Sequence, residues 1–195
     1  MHSKKNGQMC AILKGRLKKT VVLVGMMGSG KTAVGQALAR RLGVPFVDSD
    51  AEIVEAANNL SIAEIFERYG EPFFREKETQ VINRLLASGP CILSTGGGAY
   101  MAEVNRALIS EKGVALWLRA DVALLWQRVR QKTTRPLLRT ANPRETLADL
   151  AHARNPIYAK ADLVADADAA YSIDEMAEKV SQVLASRADV LETAR

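Results

Sequence analysis

The sequence predicts a three-layer α/β domain built on a mainly parallel sheet. Two observations carry this expectation: short apolar runs alternate with longer helix-like stretches, and the first run leads directly into a glycine-rich turn followed by Lys31 and Thr32. Brief, continuously apolar runs are what parallel strands buried on both faces require. Alternation of β and α elements then places helices on both sides of the sheet.

In order along the chain, strands are expected at residues 20–24, 45–47, 91–94, 114–118 and 161–164. Helices are expected at 32–42, 51–58, 62–69, 72–87, 102–110, 122–130, 143–154 and 173–186. Several helix starts are marked by residues that satisfy the free N–H groups of a first turn. Ser61-x-x-Glu64 and Ser172-x-x-Glu175 read as capping boxes, Asp121 as an N-cap, and Asn142-Pro143-x-Glu145 places proline at the first helical position. Asn155-Pro156 marks the expected end of the seventh helix. Nothing reads as a linker, a repeat or a low-complexity segment.

A chain of 195 residues is most simply one domain with a full core. Apolar residues at 48% and charged residues at 25% are ordinary for a globular protein, and no apolar run approaches the ~20 residues of a membrane span. Cys10 and Cys91 lie far apart, so no disulfide framework is expected and a reducing cytoplasm fits. His2 and His152 are the only histidines, and without a Cys/His cluster a zinc site is not expected.

The net charge of +5 raises the question of nucleic acid. Residues 1–19 carry six of the 27 basic residues and no acid, which leaves 21 basic against 22 acidic residues in the remainder. The basic character therefore belongs to the leader, which is expected to be a disordered, solvated extension of a single domain over residues 20–195. Its one apolar stretch, residues 9–13, is too short for a secretory signal, and a transit peptide would be richer in Arg and Ser.

Gly25-x-x-x-x-Gly30-Lys31-Thr32, between an expected strand and an expected helix, fits the Walker A pattern. Glycines let the backbone of Gly28, Ser29, Gly30 and Ala33 turn its N–H groups toward phosphates, and the helix N-terminus adds partial positive charge. Lys31 can reach the β- and γ-phosphates of ATP, and the Thr32 hydroxyl can ligate Mg²⁺. A competing reading is the dinucleotide fingerprint Gly28-x-Gly30-x-x-Ala33, with Asp50 placed as a ribose acid. That reading gives Lys31-Thr32 no task and needs more chain than is present. A purely structural glycine turn is the remaining alternative.

Asp48-Ser49-Asp50 follows the second expected strand, so both carboxylates emerge at the carboxyl edge of the sheet, beside the phosphate loop. The third expected strand ends in Ser94-Thr95-Gly96-Gly97-Gly98 and lacks the aspartate of an ordinary Walker B. Asp48 is then the best candidate to face Mg²⁺ through water, leaving Asp50 for the acceptor; the plainer alternative is that both acids cap a helix. Gly96, Gly97 and Gly98 permit close approach of backbone to a small molecule, or else form a tight turn. Arg75, Arg128, Arg135 and Arg154 lie on separate elements, and a guanidinium can hold a carboxylate bidentately. Spacing alone does not separate them from ordinary surface arginines.

Taken together, Gly25-Met26-Met27-Gly28-Ser29-Gly30-Lys31-Thr32, Asp48-Ser49-Asp50, the segment Ile65 to Glu76 reading Ile-Phe-Glu-Arg-Tyr-Gly-Glu-Pro-Phe-Phe-Arg-Glu, Ser94 to Ala99 and Thr134-Arg135-Pro136-Leu137-Leu138 resemble the shikimate kinase family. The resemblance runs from about residue 20 to about residue 186, with motif order and spacing kept. It implies a P-loop kinase fold with a five-stranded parallel sheet in the order 2-3-1-4-5. It also implies ATP-dependent phosphorylation of the shikimate 3-hydroxyl, on the route to chorismate and aromatic amino acids.

By position, the resemblance assigns Asp50 to the shikimate hydroxyls, Arg75 and Arg154 to its carboxylate, and Gly97 to a backbone contact. Phe66 and Phe74 would line the ring pocket, and Glu78 would orient Arg75. Arg135 would lie on a lid over ATP and Arg128 beside the adenine. In the mechanism, Lys31, Arg135 and Mg²⁺ supply positive charge, while Asp50 orients the attacking hydroxyl as base or as hydrogen-bond anchor. Residues 165–170, where adenine contacts would fall, match no motif, and residues 1–19 inherit no role. Shikimate is the expected small-molecule partner, with no nucleic acid or membrane partner, for a monomer. A kinase of another hydroxy-acid such as gluconate is the nearest alternative. A nucleotide-regulated nucleic-acid binder using the basic leader is an alternative of a different class, and the near-neutral body argues against it.

Overall fold

The computed structural model describes residues 15–131 and 136–193. In chain order these residues form β1 (Gly15–Leu17), β2 (Thr20–Val24), α1 (Lys31–Leu42), β3 (Phe46–Asp48), α2 (Ser49–Ala56), α3 (Ile62–Ala87) and β4 (Ile92–Ser94). They continue with α4 (Glu103–Lys112), β5 (Gly113–Arg119), α5 (Val122–Val129), α6 (Pro143–Tyr158), β6 (Leu163–Asp166), α7 (Ile173–Ala185) and β7 (Leu191–Thr193). Short 3₁₀ turns occupy Ala99–Met101 and Pro136–Leu138.

The main sheet has five parallel strands in the order β3-β4-β2-β5-β6. Counted from Thr20, this is the expected order 2-3-1-4-5. Its central strand, β2, is buried throughout, and its side chains alternate between two cores. Val22 and Val24 join Leu93, Ala115 and Trp117 beneath α3, α5 and α6. Val21 and Leu23 join Ile92, Leu116 and Leu118 beneath α1 and α7. Apolar side chains on both faces explain why these strands lack the polar alternation of a half-exposed sheet.

The two capping boxes form, with Ser61 accepting from the Glu64 N–H and Ser172 from the Glu175 N–H. Asp121 accepts from the Leu124 N–H at 2.7 Å. The two helices expected at 62–69 and 72–87 are joined end to end as α3 and broken by Gly70, whose φ of 80° and ψ of 171° are not helical.

Two expectations are corrected. Asn155-Pro156 does not end its helix: α6 continues to Tyr158, and the Ala159 N–H bonds to Asn155 O at 2.9 Å. Pro156 removes only its own N–H, in the last turn, while the fully buried Tyr158 ring holds the chain in helical form. Residues 15–19 are also not part of a detached leader. β1 pairs antiparallel with β7, Gly15 opposite Thr193 and Leu17 opposite Leu191, and Leu17 is 5% exposed. The reason is non-local: a three-residue strand gains its stability from burying Leu17 against Val190 and Leu191. The Lys18 N–H also bonds to Val190 O at 2.8 Å. The remainder of the expected leader, residues 1–14, lies outside the described residues.

Candidate active site

The site forms where β2, β3 and β4 end together at the carboxyl edge of the sheet. The turn after β2 needs its glycines: Gly28 and Gly30 sit at φ 83° and 101°, in the region closed to most side chains. A Cβ on Gly28 would also lie 2.6 Å from Val129 Cγ1. Gly30 caps α1, so the helix begins at Lys31 with its free N–H groups facing the turn. Lys31 folds back over the loop, and its Nζ donates to Gly25 O at 2.8 Å and to Met26 O at 3.0 Å. The Ser29 hydroxyl is buried in the same turn with no hydrogen-bond partner among the described residues. Together these groups make an anion cradle.

Asp48 caps α2, the plainer of the roles weighed for it, and also meets Thr32. Its Oδ1 accepts the Asp50 N–H at 3.0 Å, capping α2, while its Oδ2 accepts the Thr32 hydroxyl at 3.2 Å. A hydroxyl and a carboxylate oxygen are thus adjacent at the mouth of the cradle. That sparse donor set fits Mg²⁺, which is usually held by one or two carboxylates and by substrate phosphates rather than by a protein cage.

A cleft of about 550 Å³ runs over this edge. Its lining includes Gly28, Gly30, Lys31, Thr32 and Ala33 on one side, and Asp48, Asp50, Gly96 and Gly97 on another. Arg128, at the end of α5, also lines it, with Nη1 3.2 Å from Ser29 O and 3.4 Å from Gly28 O. Arg128 therefore lies against the phosphate loop itself. The far wall is Tyr171, Ser172, Ile173 and Met176 at the start of α7. None of these four was expected at the site; the Ser172 capping box was the available signal, because it fixes where α7 begins.

The three glycines after β4 gather the other charged groups. A Cβ on Gly96 would lie 2.9 Å from Asp50 Oδ1, one on Gly97 3.7 Å from Arg154 Nη1, and one on Gly98 2.8 Å from both Nη1 and Nη2 of Arg75. An acid from α2 and guanidiniums from α6 and α3 therefore converge on three consecutive glycines, and at Gly96 and Gly98 these side chains stand where a Cβ would need room. Phe74, buried, packs its ring 4.5 Å from that of Phe66.

Arg75 is held from both sides. Its Nη1 donates to Glu78 at 2.9 Å, and its Nε and Nη2 donate to Glu71 Oε1 at 3.2 and 3.1 Å. Three of its five N–H groups are thereby engaged, and its Nη edge faces Gly98. Glu78 is 1% exposed. Burial pushes its carboxyl above the usual range, and the charges of Asp50 and Glu71 push the same way, against the pull of Arg75. The expected orienting role of Glu78 has a direct contact behind it; Glu71 was not foreseen. Arg135 lies outside the described residues.

Known proteins share this fold and are similar in sequence. A family model described as shikimate kinase matches residues 27–185. A shikimate kinase from Cereibacter sphaeroides is 65% identical over 178 residues, covering 91% of this chain and 88% of its own. The solved shikimate kinase from Acinetobacter baumannii, in complex with shikimate, superposes with a TM-score of 0.81 at 38% identity, over 87% of this chain and 94% of that one. A gluconokinase from Sinorhizobium meliloti reaches a TM-score of 0.55 at 19% identity, over 88% and 94% of the two chains, a likeness of fold alone.

Proposed function

The chain belongs to the shikimate kinase family, and from that premise we propose that it transfers the γ-phosphoryl group of ATP to the 3-hydroxyl of shikimate, in the pathway to chorismate. One observation supports this reading above the others: Asp50, Arg154 and Arg75 meet at Gly96, Gly97 and Gly98, beside the phosphate cradle. A ligand bearing a hydroxyl at one end and a carboxylate at the other matches that polarity.

In this reading the turn from Gly28 to Ala33 holds the phosphates and Lys31 exchanges its carbonyl contacts for phosphate oxygens. Thr32 and Asp48 hold Mg²⁺, which when bound neutralises charge on the phosphates. Asp50 receives the acceptor hydroxyl and aligns it with the cradle. Arg75 and Arg154 fix the carboxylate by charge-assisted hydrogen bonds. Phe66 and Phe74 pack against the ring. Tyr171 and Ile173 form the wall for the nucleotide base, with Arg128 between base and phosphates, and Arg135 closes over ATP. Phosphoryl transfer demands mainly alignment and charge stabilisation, so positioned groups suffice.

The test is ADP release from ATP with a panel of hydroxy-acids. Shikimate should be turned over and gluconate should not. Preference for gluconate, or equal ATP hydrolysis with and without any acid, would overturn the reading.

A further inference from the structure

Tyr158 has no part in the reading above, yet it touches the site from below. Its ring is fully buried at the end of α6, between Trp117 of β5 and Tyr100 of the 3₁₀ turn, with ring centroids 6.0 and 6.5 Å away. Its hydroxyl donates to the carbonyl of Gly97 at 2.5 Å. On the same helix, one turn earlier, stands Arg154, whose Nη1 lies 3.7 Å from the position a Cβ on Gly97 would take. One residue of the glycine turn is thus approached by two side chains of α6, one turn apart.

We propose that Tyr158 is a positioning residue for the acceptor site, tying the Gly97 peptide to α6 so that the turn and Arg154 present one fixed face to the substrate carboxylate. The inference rests on the placement of that carboxylate between Arg75 and Arg154. The reason is mechanical. Gly96, Gly97 and Gly98 have no side chains to anchor them, and glycine has the most backbone freedom to lose. A turn that must lie within contact of Asp50, Arg154 and Arg75 at once needs an anchor from outside itself. The Gly97 carbonyl receives one from a buried phenol whose ring is fixed by two aromatic neighbours.

The chemistry of the phenol suits a permanent donor. Burial, opposed only by the nearby Arg154, pushes the Tyr158 hydroxyl up to about 12. It therefore keeps its proton, and its donor role, across the pH range in which a kinase works. A carboxylate or imidazole in the same place would titrate or add charge beside Arg154.

The test uses the full chain and the variants Tyr158→Phe, Arg154→Ala and both together. Phenylalanine keeps the ring packing and removes the hydroxyl, which leaves the Gly97 carbonyl short of a partner and takes from Arg154 its contact with the phenol oxygen. Shikimate affinity, titrated without nucleotide, should weaken about 5- to 10-fold in Tyr158→Phe, in line with the loss of one buried hydrogen bond. The KM for ATP should stay within about 2-fold of the parent, because the cradle lies on other elements. In the Arg154→Ala background, Tyr158→Phe should weaken shikimate no further, since both act through one contact. Unchanged shikimate affinity in Tyr158→Phe, equal losses for shikimate and ATP, or full additivity in the double variant would each overturn the positioning role. If Arg154→Ala itself leaves shikimate affinity unchanged, the carboxylate placement fails first, and that result is separate from the behaviour of Tyr158→Phe.

Discussion

Glu78 and Asp189 are both carboxylates held by an arginine, in two regions built for different ends. Glu78 is 1% exposed under the acceptor site, its carboxyl pushed up by burial even though Arg75 stands 2.9 Å away. Asp189 lies in the open just before β7, where hydrogen bonds from Arg187 and Lys19 hold its carboxyl well below the usual range. At the site, a charge is kept out of water to aim a guanidinium at a ligand. At the terminal ribbon, charges surround an apolar contact of Leu17 with Val190 and Leu191. The first region spends stability on geometry, and the second supplies stability without touching a ligand. Substitutions in the two regions should therefore separate activity from folding.

The largest effect belongs to the cradle. Lys31→Met should lower shikimate-dependent ADP release by at least about 100-fold, the scale of losing one charge-stabilising donor. The melting temperature should hardly move, because the Lys31 ammonium bonds to loop carbonyls and the side chain belongs to neither core. Full activity in this variant would remove the phosphate-loop assignment.

Arg75→Leu should weaken shikimate about 10- to 100-fold while ATP still binds, since a charge-assisted pair is lost. This substitution is not confined to binding, because it leaves the Glu78 carboxylate buried without its arginine. Breaking such a pair destabilises by up to about 3 kcal/mol here, with Arg75 itself 34% exposed. Adding Glu78→Gln should restore much of the melting temperature and none of the shikimate affinity. If affinity returns together with stability, Arg75 is a folding residue and the carboxylate clamp is wrong.

The ribbon should behave in the opposite way. Leu17→Ala removes a buried side chain, for a loss of about 2–3 kcal/mol, which amounts to about 5–10 °C in a domain of this size. Turnover and both KM values, measured well below the transition, should stay at parent levels. A shift in either KM would show that the ribbon and the site are coupled.

The same contrast explains what the sequence makes legible. The phosphate turn is readable because local backbone geometry there admits few residue types, and the Asp48-Ser49-Asp50 pair and the triple glycine because each stands at the end of its own strand. Ser61, Asp121 and Ser172 are readable locally too, each satisfying the N–H groups of its own first turn. The ribbon is not readable: Gly15-Arg16-Leu17 and Leu191-Glu192-Thr193 have no periodicity, and their pairing joins opposite ends of the chain. Glu71 on Arg75 is at readable spacing, yet any exposed glutamate one turn from an arginine looks the same. Tyr158 is hidden behind Pro156, a helix-stop signal that tertiary burial overrides.

Asp189→Asn should give the smallest effect, and its pH dependence checks the comparison most directly. The side chain is exposed, so its pairs with Lys19 and Arg187 are screened and the change in melting temperature at neutral pH should be slight. Because the folded pKa is depressed, whatever the pairs contribute is present above the ordinary value of 3.8 and is lost as pH falls through the folded value. The difference in melting temperature between parent and Asp189→Asn should thus be level above pH ~4 and shrink below it. Glu78 has the opposite sign. Its folded pKa is raised above 4.5, so its contribution is present below that value and lost as pH rises through the folded one. The parent should therefore lose stability relative to Glu78→Gln as pH rises from ~4.5 toward neutrality. Melting curves of the three proteins across pH decide the matter: parallel trends for Asp189→Asn and Glu78→Gln would mean that burial does not divide these two carboxylates.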